Sequence, residues 1–269
     1  MNRHTATLST AITLCALLFW AFPAEAKPRL LIATSDYLPF SSTSLPHNGF
    51  VNHVVSEAYR RMNIEVAYES VSWARGYKDT REGKYDATSF WYADKKHDAH
   101  FITGPAITNE RLVFFKHKKT RVKAWQDYDD LKGYRIGLTR GYTYTKGLWE
   151  YAENNEFYIS IVNSDTVNLK MLLLDRIDLF PIGELTGWSI LEREFPSSHH
   201  HLIDTVDKEL AHMTGHILFP KSLPNSQDLA NQLSEGVKRM EQDGSLDKFK
   251  ELLISGYYRP IDEPSKANH

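Results

Sequence analysis

The segment from Arg29 to Phe90 constrains the fold more than any other part of the chain, because strand-like and helix-like patterns alternate along it. A β-rich run, Arg29–Thr34, leads into an aromatic turn, and Gly49-Phe50 opens an amphipathic helix. A second strand is predicted at Ile64–Glu69 and a second helix at Trp73–Glu82. This order predicts a parallel α/β sheet with a ligand crevice at the carboxyl ends of its strands.

Several side chains at those strand ends are candidates for contact with a ligand. Aromatic residues follow the predicted strands, and an arginine on a strand-to-helix turn suits a carboxylate. The candidates are Tyr37, Phe40, Trp73, Arg75, Trp91 and Tyr92. The alternatives are that the aromatic residues belong to the core and that Arg75 pairs with a surface carboxylate such as Asp86.

Residues 1–26 have the pattern of a cleavable secretory signal. The apolar stretch Ala11–Phe22 is followed by Ala24-Glu-Ala26, which has the small residues of a cleavage site. A bilayer-spanning helix needs roughly 20 apolar residues, and this stretch is shorter. We therefore expect export to the periplasm with a mature chain that begins near Lys27, and a retained membrane anchor is the alternative.

Composition argues against several classes of function. Lys and Arg total 32 against 34 Asp and Glu, without a dominant basic run, so no nucleic-acid partner is expected. The only cysteine, Cys15, lies in the signal segment, which leaves the mature chain without a disulfide or a thiol nucleophile. We expect no cofactor and no metal, since the adjacent histidines His199–His201 cannot all reach one ion from a regular element.

The rest of the chain predicts two lobes joined by two strands. A long strand at Ile107–Lys116 leaves the first lobe, a second α/β unit begins near Leu131, and Met213–Phe219 returns. The predicted bounds are 27–114 and 216–258 for lobe one, 115–215 for lobe two and 259–269 for a flexible tail. Two strands between two lobes form a hinge that can close on a ligand.

Lobe two has its own strand and helix signals. Strands are predicted at Tyr158–Val162 and Ile177–Phe180, with a helix capped by Asp165 between them. A further helix is predicted at Glu184–Glu194.

The motifs along the mature chain occur in the order seen in a known family. They are Ser35-Asp-Tyr-Leu-Pro-Phe40, Gly49-Phe50, Val71-Ser-Trp-Ala-Arg75, Gly83-Lys-Tyr-Asp-Ala87, Thr103-Gly-Pro105, Leu131-Lys-Gly133 with Ile136-Gly137, Arg176-Ile-Asp178 and Leu218-Phe-Pro-Lys221. Over nearly its whole mature length the chain resembles extracellular solute-binding proteins of family three, the amino-acid-type periplasmic binding proteins of ABC transporters. The resemblance implies a two-lobed, type II periplasmic-binding-protein-like α/β fold, each lobe a mostly parallel sheet flanked by helices, with two crossover strands as the hinge.

The resemblance also implies site residues, and here the chain departs from the family pattern in lobe one. An aromatic residue of the first loop, Tyr37 or Phe40, would stack on the ligand. The family usually follows its third strand with Thr-x-Glu-Arg, whose arginine binds the ligand's α-carboxylate. This chain has Phe90-Trp-Tyr-Ala-Asp-Lys-Lys96 instead, with Lys95 or Lys96 nearest that place, and lysine lacks the bidentate fork of arginine.

In lobe two the usual Gly-Thr-Thr turn is replaced by Arg140-Gly-Tyr-Thr143. Arg140 and Thr143 are therefore candidates for binding an anion at a helix N-terminus. Glu184 is the nearest candidate for the acid that pairs with a ligand amine, and Asp178, the strand acid, is expected to be structural. The alternatives are a solvated Arg140 and a Glu184 that offsets the helix dipole.

The function implied by the resemblance is non-enzymatic. The chain would close its lobes, as a monomer, on a small polar solute, an amino acid or a related zwitterion or carboxylate, and deliver it to an inner-membrane ABC permease. One alternative is a ligand-sensing partner of a membrane receptor or kinase. Another is a dehydratase-type enzyme on the same fold, with Glu184 as its general acid.

Overall fold

The computed structural model describes residues 29–122, 125–154 and 158–259, which form ten strands and eight α-helices. The strands are β1 Arg29–Thr34, β2 Glu65–Ser70, β3 Ala87–Tyr92, β4 Phe101–Thr103, β5 Thr108–His117, β6 Arg135–Thr139, β7 Tyr158–Val162, β8 Phe180–Gly183, β9 Ile203–Thr205 and β10 Ala211–Pro220. The helices are α1 Phe50–Arg60, α2 Trp73–Arg81, α3 Lys146–Glu153, α4 Asp165–Leu173, α5 Glu184–Glu194, α6 Ser197–His200, α7 Ser226–Gln242 and α8 Ser245–Ile254. The signal sequence predicted for residues 1–26 and nearly all of the predicted tail lie outside the described residues.

A mixed sheet runs through most of the molecule in the order β2-β1-β3-β10-β5-β8, with β4 paired to β10 and β9 to β5. The strand β1 is parallel to both β2 and β3, as the alternating strand and helix patterns predict. A second sheet consists of β6 and β7, which are parallel. We call β1–β4 with α1, α2, α7 and α8 lobe one, and β6–β9 with α3–α6 lobe two.

The two lobes are connected through β5 and β10, which pair with each other. Residues Thr108–Leu112 of β5 lie antiparallel to Ala211–Gly215 of β10. Beyond this paired segment, β10 continues onto β3 and β4, whereas β5 continues onto β8 and β9. This arrangement confirms the predicted pair of crossover strands, while the residue bounds predicted for the lobes stay a prediction.

The helix α1 anchors the core of lobe one. Its apolar face, predicted from helical spacing, is buried, and Val51, Val54 and Ala58 are fully enclosed. Tyr59 donates from its hydroxyl group to the carbonyl oxygen of Leu229 in α7 at 2.9 Å. The helix is therefore held between the sheet and α7.

Two details of lobe two differ from the sequence-based prediction. The residue that caps α4 is Ser164, whose hydroxyl oxygen accepts from the Val167 backbone, and Asp165 is the first helical residue instead. The strand predicted at Ile177–Phe180 is observed as β8, Phe180–Gly183. The apolar residues Ile177 and Leu179 flank Asp178 and look like the start of a strand, but pairing with β5 begins only at Phe180.

Within the three described ranges, none of the helices combines the length and the apolar character needed to cross a membrane.

Close packing of α1 against α7 depends on Gly236. A Cβ atom at this position would lie 2.5 Å from the carbonyl oxygen of Ala58, which belongs to the backbone of α1 and cannot move independently. We expect Gly236→Ala to lower the free energy of unfolding by about 1–3 kcal/mol through overpacking. Urea denaturation of the mature chain measures this loss.

Gly76→Ala in α2 is the matched control. A Cβ atom there would meet a methyl group of Val71 at 3.2 Å, and this side chain can shift. Alanine also stabilises helix interiors relative to glycine by roughly 0.5–1 kcal/mol, so we expect the control to stay within about 1 kcal/mol of wild type. Equal stability of Gly236→Ala and wild type would contradict the close approach of the two helices.

Candidate functional site

A small cavity of about 30 Å³ lies between the lobes, where the loop after β6 meets the carboxyl ends of β1, β2 and β3. A space of this size has room for only one or two water molecules. The lining residues are Tyr37, Trp73, Phe90, Trp91 and Tyr92 from lobe one and Gly141, Tyr142 and Thr143 from lobe two. The cavity is therefore a joint product of both lobes and is walled mainly by aromatic rings.

Tyr37 is positioned by the tight turn that follows β1. Its backbone nitrogen donates to the carbonyl oxygen of Ser41 at 2.7 Å, and the backbone nitrogen of Ser41 donates back to the Tyr37 carbonyl oxygen at 2.9 Å. The Ser41 hydroxyl group also donates to the carbonyl oxygen of Ser35 at 2.8 Å. These bonds close the turn and direct the buried Tyr37 ring into the crevice.

Aromatic contacts join the two lobes across the cavity. The ring of Tyr142 makes T-shaped contacts with Tyr37, at a centroid distance of 5.7 Å, and with Trp73, at 5.9 Å. Trp73 makes a further T-shaped contact with Trp91 at 5.3 Å. The described conformation is thus a closed one, with rings of lobe one against a ring of lobe two.

Gly141 allows this close approach. Its φ of +86° lies in the left-handed region that side chains rarely adopt, and a Cβ atom there would sit 3.4 Å from the Cβ atom of Trp73. The loop after β6 can therefore turn sharply and still lie against the first turn of α2.

A buried carboxyl group lies behind the lobe-one wall of the cavity. Glu110 of β5 is 3% exposed and accepts a hydrogen bond from the Tyr92 hydroxyl group. Its carboxyl group also accepts from Tyr37, at 3.4 Å, and from Thr186, at 3.3 Å. The hydroxyl groups of Tyr37 and Tyr92 are 2.5 Å apart, so the two phenols and the carboxyl group form one network.

Burial raises the pKa of Glu110 to about 7, and the hydroxyl donors offset only part of this effect. The space for this carboxyl group exists because residue 183 is glycine: a Cβ atom on Gly183 would overlap the carboxyl oxygens of Glu110. The strand β8 thus leaves room for the acid that β5 carries.

A second buried carboxyl group lies in lobe two. Asp165 accepts a hydrogen bond from the Thr139 hydroxyl group at 2.6 Å and another from the hydroxyl group of Tyr142. Asn168 donates to the same threonine oxygen at 3.0 Å. Burial raises the pKa of Asp165 to about 6. The two tyrosines that face each other across the lobes, Tyr37 and Tyr142, therefore each belong to a hydrogen-bond network that contains a buried carboxyl group.

A larger groove of about 710 Å³ opens beside the cavity and shares Trp73 and Tyr142 with it. Arg140 lines this groove, where its Nε donates to Asn163 Oδ1 at 3.0 Å. The predicted anion contact therefore lies at the wall of the groove and not in the cavity.

Some predicted site residues lie away from the cavity. Phe40 is buried behind it and stacks on Phe90 with a centroid distance of 5.6 Å. Arg75 is 64% exposed and contacts Asp79 at 3.4 Å, so its carboxylate partner is not Asp86. The Glu184 carboxylate binds the guanidinium group of Arg111 at 2.9 Å.

Lys95 and Lys96, the two lysines nearest the place of the family arginine in the sequence, do not line the cavity either. Lys95 and Lys96 belong to a short 3-10 helix, and Lys96 Nζ pairs with Asp94 at 3.0 Å. Asp178 accepts from the backbone nitrogen of Arg135 at 2.8 Å and from its guanidinium group, as a structural acid would.

The sequence reasoning missed Phe90, Tyr142, Glu110 and Asp165 as parts of this region. A signal for Glu110 was present, because alternation along β5 places it on the same face as Leu112 and Phe114, which are buried. A carboxyl group on the buried face of a strand needs hydrogen-bond partners inside the protein, and a group of such polar side chains indicates a binding site.

Comparisons with known proteins agree with this architecture. The family model for bacterial extracellular solute-binding proteins, family 3, matches residues 30–253. An uncharacterized protein of Shewanella oneidensis is 23% identical, over 96% of this chain and 98% of its own.

Two solved structures are similar in fold. The amino acid ABC transporter substrate-binding protein AbpA from Streptococcus pneumoniae, bound to L-arginine, gives a TM-score of 0.69 at 14% identity, over 87% of this chain and 97% of its own. A histidine kinase sensor domain with similarity to periplasmic binding proteins gives a TM-score of 0.71 at 15% identity, over 84% of this chain and 96% of its own. These likenesses confirm the predicted type II periplasmic-binding-protein fold.

The raised pKa of Glu110 predicts a pH-dependent contribution to stability. Below about pH 4.5 the carboxyl group is protonated in both the unfolded and the folded chain; between pH 4.5 and 7 the unfolded chain loses this proton first, so the free energy of unfolding falls as pH rises. Glu110→Gln keeps a neutral group of similar shape. We expect the variant to gain up to about 3 kcal/mol relative to wild type between pH 4.5 and 8.

Urea denaturation of both proteins at the two pH values measures this change. The other titrating groups are common to both proteins, so their contributions cancel in the difference between them. A difference between variant and wild type that stays constant with pH would contradict a raised pKa at Glu110.

Proposed function

We propose that this chain, which belongs to the bacterial extracellular solute-binding proteins of family 3, is a periplasmic receptor that closes its two lobes on a small polar solute and presents it to an inner-membrane ABC permease. Closure around a solute is the signal that such a permease can read. The solute would lie between the rings of Tyr37 and Trp73 in lobe one and of Tyr142 in lobe two.

The main support for this proposal is that both lobes contribute residues to the wall of the cavity. The ring of Tyr142 belongs to the loop after β6, whereas Tyr37 and Trp73 follow β1 and β2. A solute held by both walls stabilises the closed arrangement over any open one, because only the closed arrangement makes all of the contacts. The hinge of β5 and β10 is the connection about which the lobes would move.

The position of the acids favours binding over catalysis. A general acid has to come within hydrogen-bond reach of the reacting atom. Among the described residues that line the cavity there is no acid, since Glu110 lies behind the phenol rings and Asp165 lines the groove. Glu184, which the dehydratase alternative requires, is occupied by Arg111.

Sensing is the second candidate function. The similarity to a histidine kinase sensor domain favours it, because a closed receptor could equally dock on a membrane kinase. Both roles begin with capture of a solute by the two lobes.

We expect that substitutions in either lobe weaken binding of the same solute. The mature chain is screened by thermal shift against amino acids, polyamines, short peptides, organic acids and quaternary ammonium ions, and calorimetry then measures the Kd of the best binder. Tyr37→Ala and Tyr142→Ala should each raise this Kd at least about tenfold, because each removes an aromatic contact.

Tyr158→Ala is the matched control, because Tyr158 lies in lobe two but is 70% exposed on β7. We expect it to bind with unchanged affinity. The proposal fails if no solute of any class raises the melting temperature, or if only one of the two lobes contributes to the Kd.

A further inference from the structure

The walls of the cavity have an electrostatic character that bears on the chemistry of the solute. They consist of six aromatic side chains, the backbone of Gly141 and the hydroxyl side chain of Thr143. The face of an aromatic ring carries the negative part of its quadrupole, so a cage of rings attracts cations. Ring cages of this kind bind quaternary ammonium groups.

The two buried carboxyl groups increase this negative character. Tyr92 donates to Glu110, the Tyr37 hydroxyl group is hydrogen-bonded to that of Tyr92 beside the same carboxyl group, and Tyr142 donates to Asp165. A phenol that donates to a carboxylate shifts electron density toward its ring and makes the ring face more negative. Three rings of the cavity are therefore linked to buried acids, one on the hinge strand β5 and one in lobe two.

A bound cation would also act on the acids. A positive charge close to a carboxyl group favours the ionised form of that group. Glu110 and Asp165 are buried with pKa values of about 7 and 6, so a cation in the cavity would draw both toward the charged state near neutral pH. Solute and acids would thus stabilise one another.

The described lining of the cavity offers no cationic group that could pair with a carboxylate of the solute. Among the described residues that line it, none is a lysine, an arginine or a histidine. Arg140 lies at the groove, and Arg75 is exposed beside Asp79. A carboxylate placed among the rings would face their negative faces and two acids without a cation to pair with, which is costly in a buried site.

Thr143 supplies a polar anchor. It is 7% exposed, and its hydroxyl oxygen has no hydrogen-bond partner among the described residues. A buried hydroxyl group without a partner costs free energy, and a hydroxyl or carbonyl group of a solute would remove this cost.

We propose that the solute of this receptor is a small organic ammonium ion, held at its cationic group by the rings of Tyr37, Trp73 and Tyr142, and that a carboxylate on the solute is not required. This inference rests on the proposed function, since it names the solute class for the same cavity. The solute takes the place of the T-shaped ring contacts between the lobes, because the closed cavity of about 30 Å³ is too small to admit it unless the rings separate.

Calorimetric titration of the mature chain with matched probes tests this proposal. The cationic probes are tetramethylammonium and choline, the neutral probe is 3,3-dimethyl-1-butanol, which has the shape of choline without its charge, and the amino-acid probes are L-arginine and L-glutamate. We expect choline to bind at least about tenfold more tightly than its neutral isostere.

Two substitutions separate cation recognition from simple apolar burial. Trp73→Leu keeps an apolar side chain but removes a ring face, and Glu110→Gln removes the charge behind the phenols. Each should lower the affinity for choline by about threefold to tenfold or more, while changing the affinity for the neutral isostere by less than about twofold. Melting temperatures verify that both variants are folded, and Tyr158→Ala should leave choline affinity unchanged.

Three results would overturn the inference. Equal affinity for choline and its neutral isostere would show an apolar pocket without charge recognition. Binding of L-glutamate or L-arginine without any binding of the two simple ammonium ions would show that the carboxylate is recognised, and the proposed receptor function would stand. Failure of every probe and of the wider solute screen would overturn the inference and the receptor function together.

Discussion

The antiparallel pairing of β5 with β10 is the contact on which the other features depend. Each strand continues into a different lobe beyond the paired segments, so these few hydrogen bonds hold both lobes in one sheet. Alternation along β5 also turns Glu110 inward, where the phenols of Tyr37 and Tyr92 meet it. The strand that joins the lobes therefore also carries the acid behind the cavity wall, so hinge and site cannot be altered independently.

Most of the fold could be predicted because its elements have strong periodicity. The buried face of α1 repeats at helical spacing, and the alternation of strands and helices predicts the parallel arrangement of β1, β2 and β3. The start of β8 could not be predicted in this way. Asp178 interrupts the apolar residues between Ile177 and Ile182, and the pairing with β5 begins only at Phe180, which the pattern alone does not show.

The candidate site was partly predictable for a related reason. Parallel strands end at one edge of the sheet, so strand-end placement brings Tyr37, Trp73 and Trp91 together without knowledge of their contacts. Partners of charged side chains do not follow from this rule. Arg75 lies two positions after Trp73 on α2, a spacing that turns it to another face of the helix, where it meets Asp79. Glu184 likewise forms an ion pair with Arg111, which is distant in the sequence.

The T-shaped contacts of Tyr142 with Tyr37 and Trp73 have a consequence for selectivity. Aromatic pairs of this kind stabilise the closed arrangement by about 0.5–1.5 kcal/mol each. The ring of Tyr142 therefore fills the space between the lobes when no solute is bound. This ring competes with every solute that reaches the cleft. A molecule that interacts with the ring faces no better than the edge of another ring gains nothing by displacing it, and self-competition thus sets a threshold that excludes weak binders.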